Sequence, residues 1–242
     1  MFGRVIHVSG ESASDDHAPA RYWNASTSRG HRTMGTRYNA IAGTSAERLA
    51  ALSDGLFAVA MTLLVLDLRV PALEAIHGEA DLRQALVGLA PRALIYLMSF
   101  LTLGIFWVGQ QTQLNFVARS DRTLSWLHLA FLFSVSLMPF STSLMAEYIA
   151  YRTALLVYWF NILLLGIVLY LTWRYAVRAG LTSAEVTPMV RRSVERRILI
   201  AQGLYGFGAL LCLHSTHWSI GVIFLVQAIY AIGPRTGPLS RI

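Results

Sequence analysis

The sequence predicts an all-α, polytopic membrane protein with six transmembrane helices, and its composition and charge pattern carry this prediction. Of its 242 residues, 55% are hydrophobic and 14% are charged, whereas soluble domains have about 25% charged residues. The net charge of +7 comes from arginine, because the chain contains no lysine. These arginines cluster in short segments between apolar runs, which is typical of a membrane topology and argues against nucleic acid as a partner.

The first predicted span covers residues 49–68, between Arg48 and Arg69. At about 1.5 Å per residue, a helix of this length just crosses a hydrocarbon core. Asp54 and Asp67 both lie inside this window, and only twelve uncharged residues separate them. We therefore expect at least one carboxylate at membrane depth, where it would face protein or a water-filled cavity. This helix is predicted to be an interior, functional one.

Further apolar runs predict the other five spans. The second, third and fourth spans cover residues 93–109, 124–146 and 153–173. Pro139 is expected to kink the third span, since proline interrupts helical hydrogen bonding. Residues 198–234 contain no Asp, Glu or Arg and are too long for one span. The polar residues 214–217 divide this run into a hairpin of two spans.

The connecting segments predict the topology. Residues 71–92 are mixed in character and favour a short amphipathic helix, whereas residues 174–197 form a basic connection. Residues 1–43 predict a disordered polar and basic tail and residues 236–242 a short tail, which leaves 44–235 as the transmembrane domain. The segments richest in arginine alternate along the chain. The positive-inside rule therefore places both termini in the cytoplasm, with the protein in a plasma membrane or cell inner membrane.

One face of the first helix has two possible functions. Helical spacing brings together Leu52, Gly55, Val59, Leu63 and Leu66, with Thr62 beside them. This face either packs against lipid and other helices or lines a pore in an oligomer. In a pore, rings of branched apolar side chains can close the channel by dewetting, and Thr62 would supply a hydroxyl that an ion can touch.

The polar pair Ser53 and Asp54 leaves further alternatives open. Asp54 either pairs with Arg48 or accepts hydrogen bonds from a neighbouring helix. Its candidate partners there are Gln110, Gln111 and His128. The chain could also be a multi-pass transporter coupled to protons through Asp54, or an intramembrane enzyme using both residues. An enzyme is disfavoured because adjacent helical residues do not face each other and no histidine lies on this helix. No motif predicts a cofactor or a metal site.

Several motifs carry a resemblance to a known family. Arg48, the sequence Ser53-Asp54-Gly55 and the apolar run 57–66 resemble the first helix of the transmembrane protein 175 family of potassium channels. Phe106-Trp107 in the second span and residues 136–142 with Glu147-Tyr148 in the third agree as well. The likeness covers residues 44–235.

The resemblance implies a homotetramer of six-helix chains, whose first helices line a pore for potassium ions across the lipid bilayer. It matches Val59, Leu63 and Leu66 to the family's hydrophobic constriction rings, and Thr62 to a threonine layer linked to potassium preference. It also implies a signature motif and an interhelical network formed by Arg48, Ser53, Asp54, Trp107, Gln110 and His128.

The sequence departs from the family pattern at several positions. Leu52 stands where the family usually has Phe, residues 110–111 are both Gln where a histidine-containing pair is common, and His128 replaces a frequent Asn. We therefore expect the polar network around Asp54 to have different hydrogen-bond partners from those usual in the family. Val59 is smaller than the more usual Ile or Leu, which predicts a wider constriction.

Overall fold

The structure, a computed structural model, describes residues 46–72 and 76–232, and eight α-helices account for most of these residues. They are α1 Ala46–Leu64, α2 Glu79–Gly88, α3 Ala90–Asn115, α4 Arg122–Ser136, α5 Met138–Glu147, α6 Arg152–Arg178, α7 Pro188–Leu210 and α8 Thr216–Ile232. The all-α fold class is therefore confirmed. The predicted tails, residues 1–43 and 236–242, lie outside the described residues.

Within the described residues, four helical segments are long and apolar enough to cross a membrane. They are Ala90–Asn115, Arg122–Glu147, Arg152–Arg178 and Pro188–Leu213. The third of the predicted spans thus comprises α4 and α5 together, and the last of the four segments comprises α7 and a short 3₁₀ turn. Helix α8 is apolar but only 17 residues long. The prediction of a membrane protein with apolar helices is thereby supported, and α1 and α8 are the two predicted spans outside this set.

The basic connection is much shorter than the sequence predicts. Helix α6 continues to Arg178, and α7 begins at Pro188, ten residues before the predicted start of the fifth span at 198. Thr187 caps α7, because its Oγ1 accepts a hydrogen bond from the backbone N–H of Val190 at 3.3 Å. Hydropathy predicts which residues contact hydrocarbon, whereas the ends of a helix depend on its caps. Charged turns therefore extend α6 and α7 beyond the ends of the predicted spans.

Two breaks between helices fall close to the residues at which the sequence predicts a disturbance of an apolar run. Helices α4 and α5 are separated at Leu137, two residues before Pro139, which confirms the expected disturbance of the third span. Residues 214–215 separate the turn after α7 from α8, so the helices break within the predicted polar interruption. Cys212 is a free, buried thiol in the turn after α7 and packs as a small apolar residue.

Helix α6 supplies the largest side chains of the core. Trp173 and Tyr158, the two largest fully buried side chains, both lie on α6, which packs against α4, α5 and α7. Helix α1 packs against α3, α4 and α5. The consequence is that one side of α1 is held by three helices of its own chain.

Gly208 sets the close approach of α7 and α8. A Cβ atom at this position would lie 2.9 Å from Cγ1 of Ile223, a buried side chain with little freedom to move. Ser219 Oγ also donates a hydrogen bond of 2.6 Å to the Gly208 carbonyl. We expect Gly208→Val to lower the free energy of unfolding by about 1–3 kcal/mol through overpacking.

The matched control for this prediction is Gly206→Val on the same helix, where no atom beyond the adjacent backbone lies within 4 Å of the added Cβ. Thermal unfolding in detergent compares the two variants. Equal melting temperatures would contradict the close contact of α7 with α8.

Candidate functional site

Helix α1 has one face that its own chain covers. Ser53, Phe57, Ala60 and Leu64 are buried on this face and recur at intervals of three or four residues. Phe57 contacts the ring of Phe131 on α4, with ring centroids 6.1 Å apart. The contacts fix the rotation of α1 about its axis, and therefore decide which residues the chain leaves uncovered.

The residues that the chain leaves uncovered include the predicted pore face. Val59, Leu63 and Leu66 are 54%, 45% and 70% exposed. Leu52, Gly55 and Thr62 are exposed as well. An apolar surface of this kind is suited to lipid or to copies of itself, since neither requires polar groups. Thr62 donates its hydroxyl hydrogen to the Val59 carbonyl at 2.8 Å, so its oxygen lone pairs remain available to a cation.

Asp54 ties α1 to α3. Its Oδ1 accepts a hydrogen bond of 2.8 Å from Trp107 Nε1 and one of 2.6 Å from Gln111 Nε2. The two donors are four residues apart on α3 and therefore lie on one face of that helix. Of the candidate partners read from the sequence, Gln111 bonds Asp54, whereas Gln110 and His128 bond Ser53.

Ser53 lies in a second, fully buried cluster. Its Oγ donates to the Leu49 carbonyl at 2.8 Å and accepts from Gln110 Nε2 at 2.8 Å. The Nε2 atom of His128 is 2.7 Å from the same oxygen. Ser53, Gln110 and His128 come from α1, α3 and α4, and all three are buried. This cluster joins three helices at one level. Arg48 lies one turn before this cluster, in an exposed position on α1.

The close contact between Ser53 and His128 has the spacing of a nucleophile and a base. Within the described residues, no carboxylate bonds His128 to complete a hydrolytic site. Asp54 bonds Trp107 and Gln111 on α3, and Ser53 has 0% of its surface exposed. The contact therefore stabilises helix packing.

The other end of α1 leads to a polar cavity. Arg69, which follows α1, lines a cavity with about 760 Å³ of open space, together with Arg92, Ser143, Ala146 and Glu147. Arg92 and Glu147 form an ion pair of 2.6 Å between α3 and α5. The uncovered apolar face of α1 thus runs between the polar cluster at Ser53 and Asp54 and this charged cavity.

A further buried polar layer lies deeper in the helix bundle, and the sequence analysis missed it. Thr142 Oγ1 donates to Ser99 Oγ at 2.7 Å, and Gln227 Nε2 donates to Thr102 Oγ1 at 2.7 Å. Ser99 and Thr102 both lie within 3.4 Å of the Tyr158 hydroxyl. The spacing of Ser99 and Thr102 on one helical face was the only signal in the sequence.

Comparisons with known proteins agree with this architecture. A potassium channel of Streptomyces collinus is 35% identical over 165 residues, covering 66% of this chain and 78% of that channel. A potassium channel of Chamaesiphon minutus is 31% identical over 189 residues, covering 76% of this chain and 93% of its own length. The family model for the endosomal/lysosomal potassium channel TMEM175 matches residues 48–139. The chain belongs to the TMEM175 family.

A solved TMEM175 structure supports the same assignment. The crystal structure of a lysosomal potassium-selective channel TMEM175 homologue from Chamaesiphon minutus superposes with a TM-score of 0.68 at 30% identity. The match covers 77% of this chain and 96% of that one. The TMEM175 family consists of channels, so the chain is not an enzyme. The contact of Ser53 with His128 therefore has no catalytic function.

The Ser53 cluster predicts a measurable stability effect in this TMEM175 protein. Ser53→Ala removes the hydroxyl that lies 2.8 Å from Gln110 Nε2 and 2.7 Å from His128 Nε2. It leaves both groups buried with only their longer contacts, 3.2 Å to each other and 3.2 Å from His128 to the Leu49 carbonyl. We expect the free energy of unfolding to fall by about 1–3 kcal/mol, measured by thermal unfolding in detergent.

Ser136→Ala is the control for that measurement, because among the described residues the exposed Ser136 hydroxyl bonds only the Phe133 carbonyl of its own helix, at 2.7 Å. We expect this control to unfold close to the parent temperature. A Ser53→Ala protein as stable as the control would show that the cluster does not hold the three helices together.

Proposed function

We propose that the chain forms a potassium-selective cation channel, a homotetramer in which the α1 helices of four copies line the pore. The observation that carries the proposal is the uncovered apolar face of α1, in a chain whose relatives are potassium channels. A single α1 helix cannot enclose a pore, so several copies are required. In this proposal α1 and α8 are the first and last of six crossings, so both termini lie on the same side of the membrane. The arginine bias of the connecting segments favours the cytoplasmic side of a plasma membrane or cell inner membrane.

In this proposal Val59, Leu63 and Leu66 form successive apolar rings. A narrow pore lined by such rings is closed to ions when water leaves it, and it conducts ions when water fills it. Apolar side chains do not replace the hydration shell of an ion. Potassium is less strongly hydrated than sodium and therefore loses less on entering, which gives a moderate preference for potassium.

Thr62 supplies the polar atom of the proposed constriction. Its hydroxyl hydrogen is bonded to the Val59 carbonyl, so the oxygen presents lone pairs to a passing cation. Four such oxygens, one from each copy, would form a single polar layer among the apolar rings. Arg48, Ser53 and Asp54, with Trp107, Gln110 and His128, are proposed to hold α1 in the position that this pore requires.

The test is ion flux through purified protein in liposomes. We expect potassium and caesium flux to exceed sodium flux, with valinomycin added at the end to show that the vesicles are intact and hold a gradient. Intact vesicles that contain folded oligomer but carry no such current would contradict the channel. Saturable flux that follows a proton gradient and is lost in Asp54→Asn would instead establish the proton-coupled transporter.

A further inference from the structure

A crevice opens between α3, α6, α7 and α8, away from the uncovered face of α1. It contains about 630 Å³ of open space. Much of its lining is apolar, from Phe106, Leu169, Ile198 and Ala201. Along α7 its lining runs from Val194 to Tyr205, which at 1.5 Å per residue is about 16 Å. The crevice is therefore long and suited to an extended apolar occupant.

The same crevice contains polar atoms that the protein leaves unsatisfied. Gln113, Gln202, Tyr205 and Tyr230 line it, and the two amide oxygens and two hydroxyls of these residues have no hydrogen-bond partner within the described residues. Tyr205 is 1% exposed and Gln113 is 4% exposed. A buried polar group without a partner costs about 1–3 kcal/mol, so a ligand with both donors and acceptors would offset this cost for each of the groups that it reached.

A positive charge marks one end of the crevice. Arg197 lines it and stacks over the ring of Tyr230, with its guanidinium carbon 5.8 Å from the ring centroid. Within residues 46–72 and 76–232, no carboxylate forms an ion pair with Arg197. After Arg197 the chain has no Asp, Glu or Arg before Arg235. Arg197 thus stands where the charged part of α7 gives way to its apolar part, the position of a lipid headgroup.

We propose that this crevice is a binding site for one anionic phospholipid of the phosphatidylglycerol type. Arg197 binds the phosphate. The hydroxyls of Tyr205 and Tyr230 donate to phosphate and ester oxygens, the glycerol hydroxyls donate to the oxygens of Gln113 and Gln202, and an acyl chain fills the apolar length. Basic pockets between transmembrane helices bind anionic headgroups in this manner. The site does not depend on ion conduction.

The first test compares two neighbouring arginines by native mass spectrometry of the purified oligomer in detergent. The probes are phosphatidylglycerol, phosphatidylcholine and inorganic phosphate. We expect phosphatidylglycerol to be retained most strongly, and Arg197→Gln to weaken its binding about tenfold, as loss of a hydrogen bond to a charged group does. Arg196→Gln is the control, because it removes the same charge from an exposed residue outside the crevice.

The outcomes separate a specific site from general attraction to a basic surface. Equal weakening by Arg197→Gln and Arg196→Gln would overturn the proposal, since any arginine would then serve. Equal retention of phosphatidylcholine and phosphatidylglycerol would overturn it as well. Inorganic phosphate that competes fully with the lipid would show an anion site without an acyl-chain component, which also contradicts the proposal.

The second test uses the unsatisfied hydroxyl of Tyr205. Tyr205→Phe removes one buried oxygen and leaves the ring in place. We expect the lipid-free variant to melt at or above the parent temperature, because an unsatisfied polar group is lost. We also expect added phosphatidylglycerol to raise its melting temperature less than it raises that of the parent. An unchanged response to lipid would contradict a headgroup contact at Tyr205.

Discussion

Leu63→Ala is expected to raise sodium flux about tenfold and to reduce the preference for potassium over sodium. In the proposed tetramer the Leu63 side chains form an apolar ring, and the barrier to a hydrated ion depends on how completely that ring excludes water. Truncation to alanine widens the ring. A barrier lowered by about 1.4 kcal/mol changes a rate tenfold. Two liposome flux measurements, one with potassium and one with sodium as the only permeant cation, give both the sodium flux and the ion preference.

Leu171→Ala is the control for this prediction. Leu171 lies on α6 and is 48% exposed, close to the 45% of Leu63, so both substitutions remove the same atoms from similarly exposed positions. We expect the control to conduct as the parent does. If Leu63→Ala and Val59→Ala both leave conductance and ion preference unchanged, the pore face is assigned to the wrong side of α1.

Apolar runs in the sequence predict the location of the helices well and their ends poorly. Residues 214–217 are a polar interruption in a long uncharged run, and the break between α7 and α8 falls there. Apolar runs do not predict the start of α7 at Pro188, because the first turns of this helix are charged and lie outside any hydrophobic window. A cap such as Thr187 followed by proline is a better signal for that boundary.

The residues of the polar clusters could be read from the sequence, but their pairing could not. Asp54 bonds Trp107 and Gln111, whereas the adjacent Gln110 bonds Ser53. Neighbouring residues on α3 turn about 100° apart, and which of them meets α1 depends on how the two helices are rotated and shifted. Periodicity within one helix contains no information on that shift. The buried layer around Tyr158 was missed for the same reason.

Substitution of Asp54 is expected to give a graded loss of potassium flux. Asp54→Asn keeps a side-chain oxygen that can accept from Trp107 and Gln111, so we expect flux within a few-fold of the parent. Asp54→Ala removes both hydrogen bonds between α1 and α3, each of which is worth about 1 kcal/mol or more. We expect this variant to unfold at a lower temperature and to conduct poorly, because α1 loses its attachment beside the proposed pore face.

The graded series distinguishes two functions for the same carboxylate. If Asp54 positions α1, its hydrogen bonds matter more than its charge, and a double-mutant cycle of Asp54→Ala with Gln111→Ala gives less than additive losses of stability. If Asp54 carries protons, its titration matters, and Asp54→Asn abolishes flux while stability stays near that of the parent. Asp81→Asn, an exposed substitution on α2, controls for loss of one negative charge. Flux lost equally in Asp54→Asn and Asp54→Ala would therefore exclude a purely positioning role.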